Sequence, residues 1–368
     1  MRTIYLIFVN LVVAINVNVC YALFTKCSKG TDILMNKPSM QDIADSLSIS
    51  RISVWKALTN RSGVSEKLRG KVVETAVQLG YIGKPDSRGG SERANHTIAA
   101  VVSRPESSTF WTQIIHEIAK ELSLRNVNLM YTYMPAVYKE KDALPGALTG
   151  GSVSGMIVLN VYSEQQLKML AKLPLPKVFL DSVPSLPTSE MNGDIVFIEG
   201  RSSVREITGK LIDSGATRLG FIGDIQYAQT NMDRYLGFTD AFSQRGLKIN
   251  PAYSMTEKLN LGTHYEQIGK FLSSLKTMPD GFVCASDYIA HFIERYLKEK
   301  EIDRSNICLT GFDNSSEYPN VADKITTVDV QTQSMGERLA NKIMFAVNYP
   351  GLPCEVSYVL TDVIWRLS

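Results

Sequence analysis

The sequence predicts a small helix-turn-helix module followed by a large α/β region, and three observations point there. "MQDIADSLSISRISVWKALTN" (Met40–Asn60) reads as two short amphipathic helices with a three-residue turn between them. From Thr97 onward, short runs rich in Val, Ile and Phe alternate with helix-period segments. The charge also changes sign along the chain. Residues 37–96 carry ten Lys/Arg against six Asp/Glu, whereas residues 97–368 carry 26 against 30. A basic module ahead of an acidic one suits an anionic partner for the first and not for the second. At 368 residues the chain exceeds one ordinary core, and 44% hydrophobic with 21% charged residues is a globular composition.

The first element, residues 1–36, is apolar. "IYLIFVNLVVAINVNVCYALF" (Ile4–Phe24) has the length of a membrane span, but Asn10, Asn16 and Asn18 interrupt it. No small-x-small cleavage site follows it, and Cys20 lies in no lipoprotein motif. Met35 is a natural start for what comes next. The segment is therefore read as an artefactual or unstructured extension, with a membrane anchor and a signal peptide as the alternatives.

Residues 37–82 form the basic module. Ser39 is placed to cap the first helix, with Asp42 in its first turn, and Ile43, Ala44 and Leu47 make the apolar stripe. Ser50 caps a second helix from Arg51 to about Thr59, in which Val54, Ala57 and Leu58 face inward. Arg51, Ile52, Trp55, Lys56 and Thr59 fall on the opposite side. A third helix starts at Ser65, turns Leu68, Val72, Val73, Ala76 and Leu79 inward and stops at Gly80. A core would not take Arg and Lys beside Trp and Ile, and a solvated face has no use for the Trp. An outward face of that kind suits a DNA major groove, with base edges met by side chains near the helix start. The candidate DNA-contacting residues are Ser50, Arg51, Ile52, Ser53, Trp55, Lys56, Thr59 and Asn60.

At these residues the module resembles the DNA-binding domain of the lactose/galactose-repressor (LacI/GalR) family. Val54-Trp55-Lys56-Ala57-Leu58-Thr59 stands where that family has V-S-R-V-L-N, while Gly63-Val64-Ser65 and Leu79-Gly80-Tyr81 match outright. Trp55 replaces a small residue, Lys56 an Arg and Thr59 an Asn, and these departures bear on which bases are read. Residues 83–96 follow as a hinge or linker. The resemblance implies a short hinge helix that wedges a Leu into the minor groove. No Leu, Ile, Met, Val or Phe occurs between Gly83 and His96, so little operator bending is expected.

Residues 97–368 supply the strands. "TIAAVV", "VNLMYTY", "GMIVLNV", "KVFLDS", "DIVFIEG", "RLGFIGD", "GFVCAS" and "ICLTGF" are enough for two parallel sheets, with ligand space at the C-terminal ends of strands. The resemblance continues through "RYLGFTDAF", "DGFVCASDYIA" and "LTGFDN". It implies an effector domain of two α/β subdomains, like a type I periplasmic binding protein, with a cleft between them. Arg234 and Asp313 take the positions of the family's ligand-clamping Arg and Asp, a pair able to bind adjacent sugar hydroxyls. Ser286 stands where many members have Asn. Phe110 and Trp111 match a position where some members set aromatics against the ligand, with core packing as the alternative; for Asp313 the alternative is a turn residue.

Catalytic signatures are missing from the sequence. It has neither a P-loop nor G-x-G-x-x-G, and "GSVSG" carries Val153 where a nucleophile elbow needs Ser. Five cysteines without a C-x-x-C read as buried reduced thiols, and the four histidines are too dispersed for a metal site. No cofactor is called for. The combined expectation is a cytoplasmic, homodimeric transcription regulator, a repressor. Its partners are a near-palindromic double-stranded operator and a small effector, a sugar or related metabolite. The alternative is an exported or membrane-tethered sugar-binding protein that uses the apolar N-terminus.

Overall fold

A computed structural model describes residues 39–58, 63–79, 81, 96–103, 108–260 and 262–366. The chain divides into two compact units, residues 1–93 and 94–368. The extension 1–36, Thr59, Asn60 and nearly all of the linker lie outside the described residues, and so does the expectation about hinge bending.

The first unit contains α1 (Met40–Leu47), α2 (Arg51–Leu58) and α3 (Glu66–Gln78). Ser39 begins α1 with a capping box. Its Oγ accepts from the Asp42 backbone N–H, and the Asp42 carboxylate accepts from the Ser39 N–H at 2.6 Å. That backbone N–H holds the Asp42 carboxyl below its ordinary value. Ser48, at φ 54°, ends α1 in the left-handed region and frees the chain to turn. Ser65 caps α3 from just outside it rather than opening it. Ile43, Ala44, Val54, Ala57, Val72 and Ala76 are the buried core of the unit. Val73 and Leu79 were expected inside but are each 40% exposed. Val72, Thr75 and Ala76 already fill the inward stripe at i, i+3, i+4, which turns Val73 about 100° away from it. Leu79 sits at the C-cap, beyond the last packed turn.

The second unit is built on two parallel sheets. β1 (Thr97–Val102), β2 (Asn128–Tyr133), β3 (Gly155–Leu159), β4 (Lys177–Leu180), β5 (Asp194–Ile198) and β10 (Val356–Val359) form the first, in the order β10-β5-β4-β3-β1-β2. Every pairing in it is parallel, as crossover connections require. β6 (Leu219–Ile222), β7 (Gly281–Cys284) and β8 (Cys308–Thr310) form the second. β9 (Thr327–Asp329) and β11 (Asp362–Ile364) make a separate antiparallel pair.

The eight apolar runs all became strands, and β9, β10 and β11 were additional. Helices cover both sheets. α4 (Thr109–Ser123) and α11 (Thr332–Asn348) pack on one face of the first, with α5 (Gly146–Thr149) and α6 (Glu164–Ala171) contributing to the core of the other. The second sheet lies between α7 (Arg201–Asp213) with α8 (Gln229–Gln244) on one side and α9 (His264–Ser274) with α10 (Asp287–Glu299) on the other. One apolar core runs through inner residues of both sheets, from Ile98 and Val178 to Phe221 and Phe238, with Phe312 and Val328 among them. Cys284 is buried and Cys308 partly so, but Cys354 is exposed, so the expectation of buried thiols fails there. It lies in the turn leading into β10, outside any packed element.

Candidate functional site: a helix face and a cleft

The first candidate site is the outer face of α2. Ser50 starts the helix: its Oγ accepts from the Ser53 backbone N–H at 3.1 Å and lies 2.9 Å from the Ser53 Oγ. At the far end, Arg69 of α3 donates from Nη1 to the carbonyl of Ala57 at 3.0 Å and of Lys56 at 3.4 Å, meeting carbonyls left open by the last turn. Both ends are thus fixed, and Val54 and Ala57 are buried beneath. Outward, Ile52 is 66% and Trp55 44% exposed, with Arg51 exposed beside them and Lys56 half-buried. The helix carries no acidic residue. The structure gathers Ser50, Arg51, Ile52, Ser53, Trp55 and Lys56 on this short rod.

The second is a cavity of about 440 Å³ in the other unit. Its polar lining comes largely from residues just past strand ends: Asn160 after β3, Asp181 after β4, Asp224 after β6, Ser286 after β7 and Asp313 after β8. Arg234 enters from α8 and is buried. Its Nη1 donates to the Ala285 carbonyl at 2.5 Å, and its guanidinium lies 3.6 Å from the centre of the Phe312 ring. Nη2 is 3.7 Å from the Asp313 carboxylate, an ion pair without a hydrogen bond. Nε is buried with no hydrogen-bond partner among the described residues. Gly200 makes the approach possible, since a Cβ there would sit 2.8 Å from the Arg234 Cγ.

Asp313 adopts φ 100° while its N–H donates to the Val328 carbonyl at 2.9 Å. Burial pushes its carboxyl up to about 7; Arg234 pulls it down and Asp287 pushes it up. Asp287 itself opens α10, accepting from the Ser315 N–H and the Thr327 hydroxyl at 2.7 Å each, and burial raises it to about 6. Gly311 must be glycine against it, because a Cβ would lie 1.9 Å from the Asp287 Oδ1. Asp181 accepts from the Ser182 N–H at 2.7 Å and the Thr230 hydroxyl at 2.6 Å, yet burial still raises it to about 6.

Phe110 and Trp111 meet edge to face with centres 5.1 Å apart. They line the cavity and also pack against the main core, so both readings of that pair apply. Ser286 lines the cavity as well, while its Oγ caps α10 by accepting from the Ile289 N–H at 3.3 Å. All five expected cleft residues therefore line one space. Sequence reasoning missed Asn160, Tyr162, Asp181, Tyr227, Thr230 and Tyr288, and it set His264 aside as one more isolated histidine; all seven line the cavity too. Asn160 and Asp181 could have been found as the polar residues near the C-terminal ends of the runs "GMIVLNV" and "KVFLDS". Besides the Thr230–Asp181 bond, two further links tie the walls together: the Gln229 N–H donates to the Ser182 carbonyl at 2.8 Å, and Thr109 donates through its N–H and hydroxyl to Glu317 at 3.1 Å each.

Comparison with known proteins places these features. Residues 208–368 match the periplasmic binding protein-like domain family. The HTH-type transcriptional regulator RegA of Clostridium saccharobutylicum is 26% identical over 332 residues, covering 88% of this chain and 96% of RegA. The sucrose operon repressor of Klebsiella pneumoniae is 22% identical over 305 residues, or 81% and 88% of the two chains. Among solved structures, a complex of the transcriptional regulator CelR with cellobiose has a TM-score of 0.65 at 21% identity, covering 89% of this chain and 99% of CelR. The Lac repressor dimer bound to operator and the anti-inducer ONPF has a TM-score of 0.62 at 15% identity, covering 90% and 98%. No helix among the described residues is long and apolar enough to cross a membrane.

Proposed function

We propose that this chain, a homologue of the LacI-family transcriptional regulators, is a ligand-responsive, sequence-specific DNA-binding repressor. It acts in the cytoplasm as a homodimer and catalyses no reaction. One observation carries the reading: in a chain related to named repressors along most of its length, α2 turns cations and large apolar groups outward with no acid among them. An exported sugar-binding protein has no use for such a face.

In this reading Arg51, Ile52, Trp55 and Lys56 meet bases and phosphates, with Ser50, Ser53, Thr59 and Asn60 at the borders of the contact. The cleft takes a sugar or a related polyhydroxylated metabolite. Arg234 donates to one hydroxyl through its guanidinium, and Asp313 accepts from a neighbouring one. Phe110 and Trp111 cover the apolar face of the ring, and Ser286 borders it. The ligand would favour one arrangement of the subdomains over another, and that differential affinity sets the affinity for DNA.

The test is selection of operator fragments from a random pool by the full chain, followed by binding assays with a panel of sugars. Enrichment of a near-palindrome whose affinity changes with one sugar is expected. Absence of any enriched sequence would overturn the reading.

A further inference from the structure

We infer that α2 reads C5-methyl groups in the major groove, so that the operator half-site presents thymines to Ile52 and Trp55. The inference rests on the DNA-binding reading of the head and adds what that face recognises.

Ile52 lies in the first turn of α2 and Trp55 one turn further on, on the same side, 66% and 44% exposed. Arg51 flanks them, and no acidic residue between Arg51 and Leu58 would repel phosphates. α1 offers the contrast. Its outward residues Gln41 and Asp45 are polar and bond to each other at 2.8 Å, as expected of a solvated face.

The chemistry of the groove then narrows the partner. A C·G pair offers only hydrogen-bonding groups on its major-groove edge, from N7 and O6 of guanine to N4 of cytosine. A T·A pair adds the C5 methyl of thymine. Ile52 has no group that can hydrogen-bond. Pressed against guanine or cytosine, it would strip water from donors and acceptors and return nothing, a desolvation cost without compensation. Against a methyl it removes two apolar surfaces from water at once. The indole of Trp55 supplies a broad apolar plate beside it, and Arg51 and Lys56 remain for guanine or phosphate.

The experiment uses the full chain and an operator selected from unmodified synthetic DNA, then remade with deoxyuridine for thymidine at each half-site position in turn. The replacement deletes the methyl and leaves base pairing and all hydrogen-bonding edges unchanged. Each methyl that touches Ile52 or Trp55 should cost about four-fold in affinity, the worth of roughly one buried methylene. In Ile52→Ala the ratio of thymidine to deoxyuridine affinity should collapse toward one at a single position per half-site, and in Trp55→Ala at another. 5-Methylcytosine carries the same methyl, so an operator recovered only from a methylated pool would overturn the assignment to thymine. Equal affinity for the deoxyuridine operator would overturn the inference while sparing the head's role. Failure to select any DNA would overturn both. Should Ile52→Ala change the oligomeric mass and leave the ratio unaltered, the face belongs to a second copy of this chain and the inference falls.

Discussion

Both candidate sites set an aromatic ring beside a cation, but they do so in opposite surroundings. On α2, Trp55 is nearly half exposed, next to Lys56 in the chain and with Arg51 close by. Behind the cleft lining, Phe312 is fully buried and stacks under a buried Arg234. The same kinds of residue therefore have different duties. Water screens the first group, which contributes when a partner excludes that water. The second group already lacks water, so it holds the domain together, with Arg234 Nε buried and Asp313, its carboxyl raised, lining the cavity.

The largest expected difference is in stability. Phe312→Ala should cost about 3–5 kcal/mol in chemical unfolding of the effector domain, as for other buried Phe truncations. Trp55→Ala should stay within about 0.5 kcal/mol, as exposed positions do. Equal losses would erase the contrast.

Next comes the separation of functions. Arg234→Ala and Asp313→Ala should abolish the response of the operator complex to its sugar, and each should weaken sugar binding by about 2–5 kcal/mol. Operator affinity in the absence of sugar should remain. A folded Asp313→Ala protein that still senses sugar but no longer binds DNA would reverse the assignment of the two sites.

pH offers a sharper probe of the cleft. The carboxyls of Asp313, at about 7, and of Asp181 and Asp287, at about 6, all lie above the ordinary 3.8. The folded state then holds more protons than the unfolded one between about pH 4 and 7. The stability these groups contribute is complete below that window and is lost as pH rises through it. Unfolding of the ligand-free protein should therefore become easier from pH 5 to pH 8, and Asp313→Asn should flatten the slope. A slope unchanged by that substitution would place the proton elsewhere.

Smaller effects belong to the head. Ser39→Ala removes a capping box and should cost about 1 kcal/mol of stability in the head. Lys71→Ala, on the exposed side of α3, should leave sequence preference alone and lower the salt slope of binding by about one. A changed preference would mean that α3 also reaches bases.

Much of this was legible in the chain, for identifiable reasons. Most of the eight apolar runs are buried along nearly their whole length, so their pattern survives any context; "VNLMYTY", the edge strand β2, is the exposed exception. β10 ("VSYV") and β11 ("DVI") are short and half-exposed, and β10 pairs with β5 about 160 residues away, so nothing local announces them. Arg234 and Asp313 could be singled out because they fall in matching segments. Tyr162 could not, because its importance comes from meeting Tyr227 across the cleft. Val73 and Leu79 are misplaced when the inward stripe of α3 is drawn wider than Val72, Thr75 and Ala76, which already fill it.

The position of β10 has a bearing on how the protein is made. The six-stranded sheet takes five of its strands from residues 97–198 and its edge strand from residues 356–359, and α11, which covers it, comes late as well. On the ribosome, the first subdomain must wait with an open edge and an uncovered face while the whole second subdomain is synthesised. The three described helices of the head are complete once residue 78 has emerged. Nascent chains of this protein thus pass through a long interval with a complete head on an unfinished effector domain, and in that interval a chaperone has the most to protect.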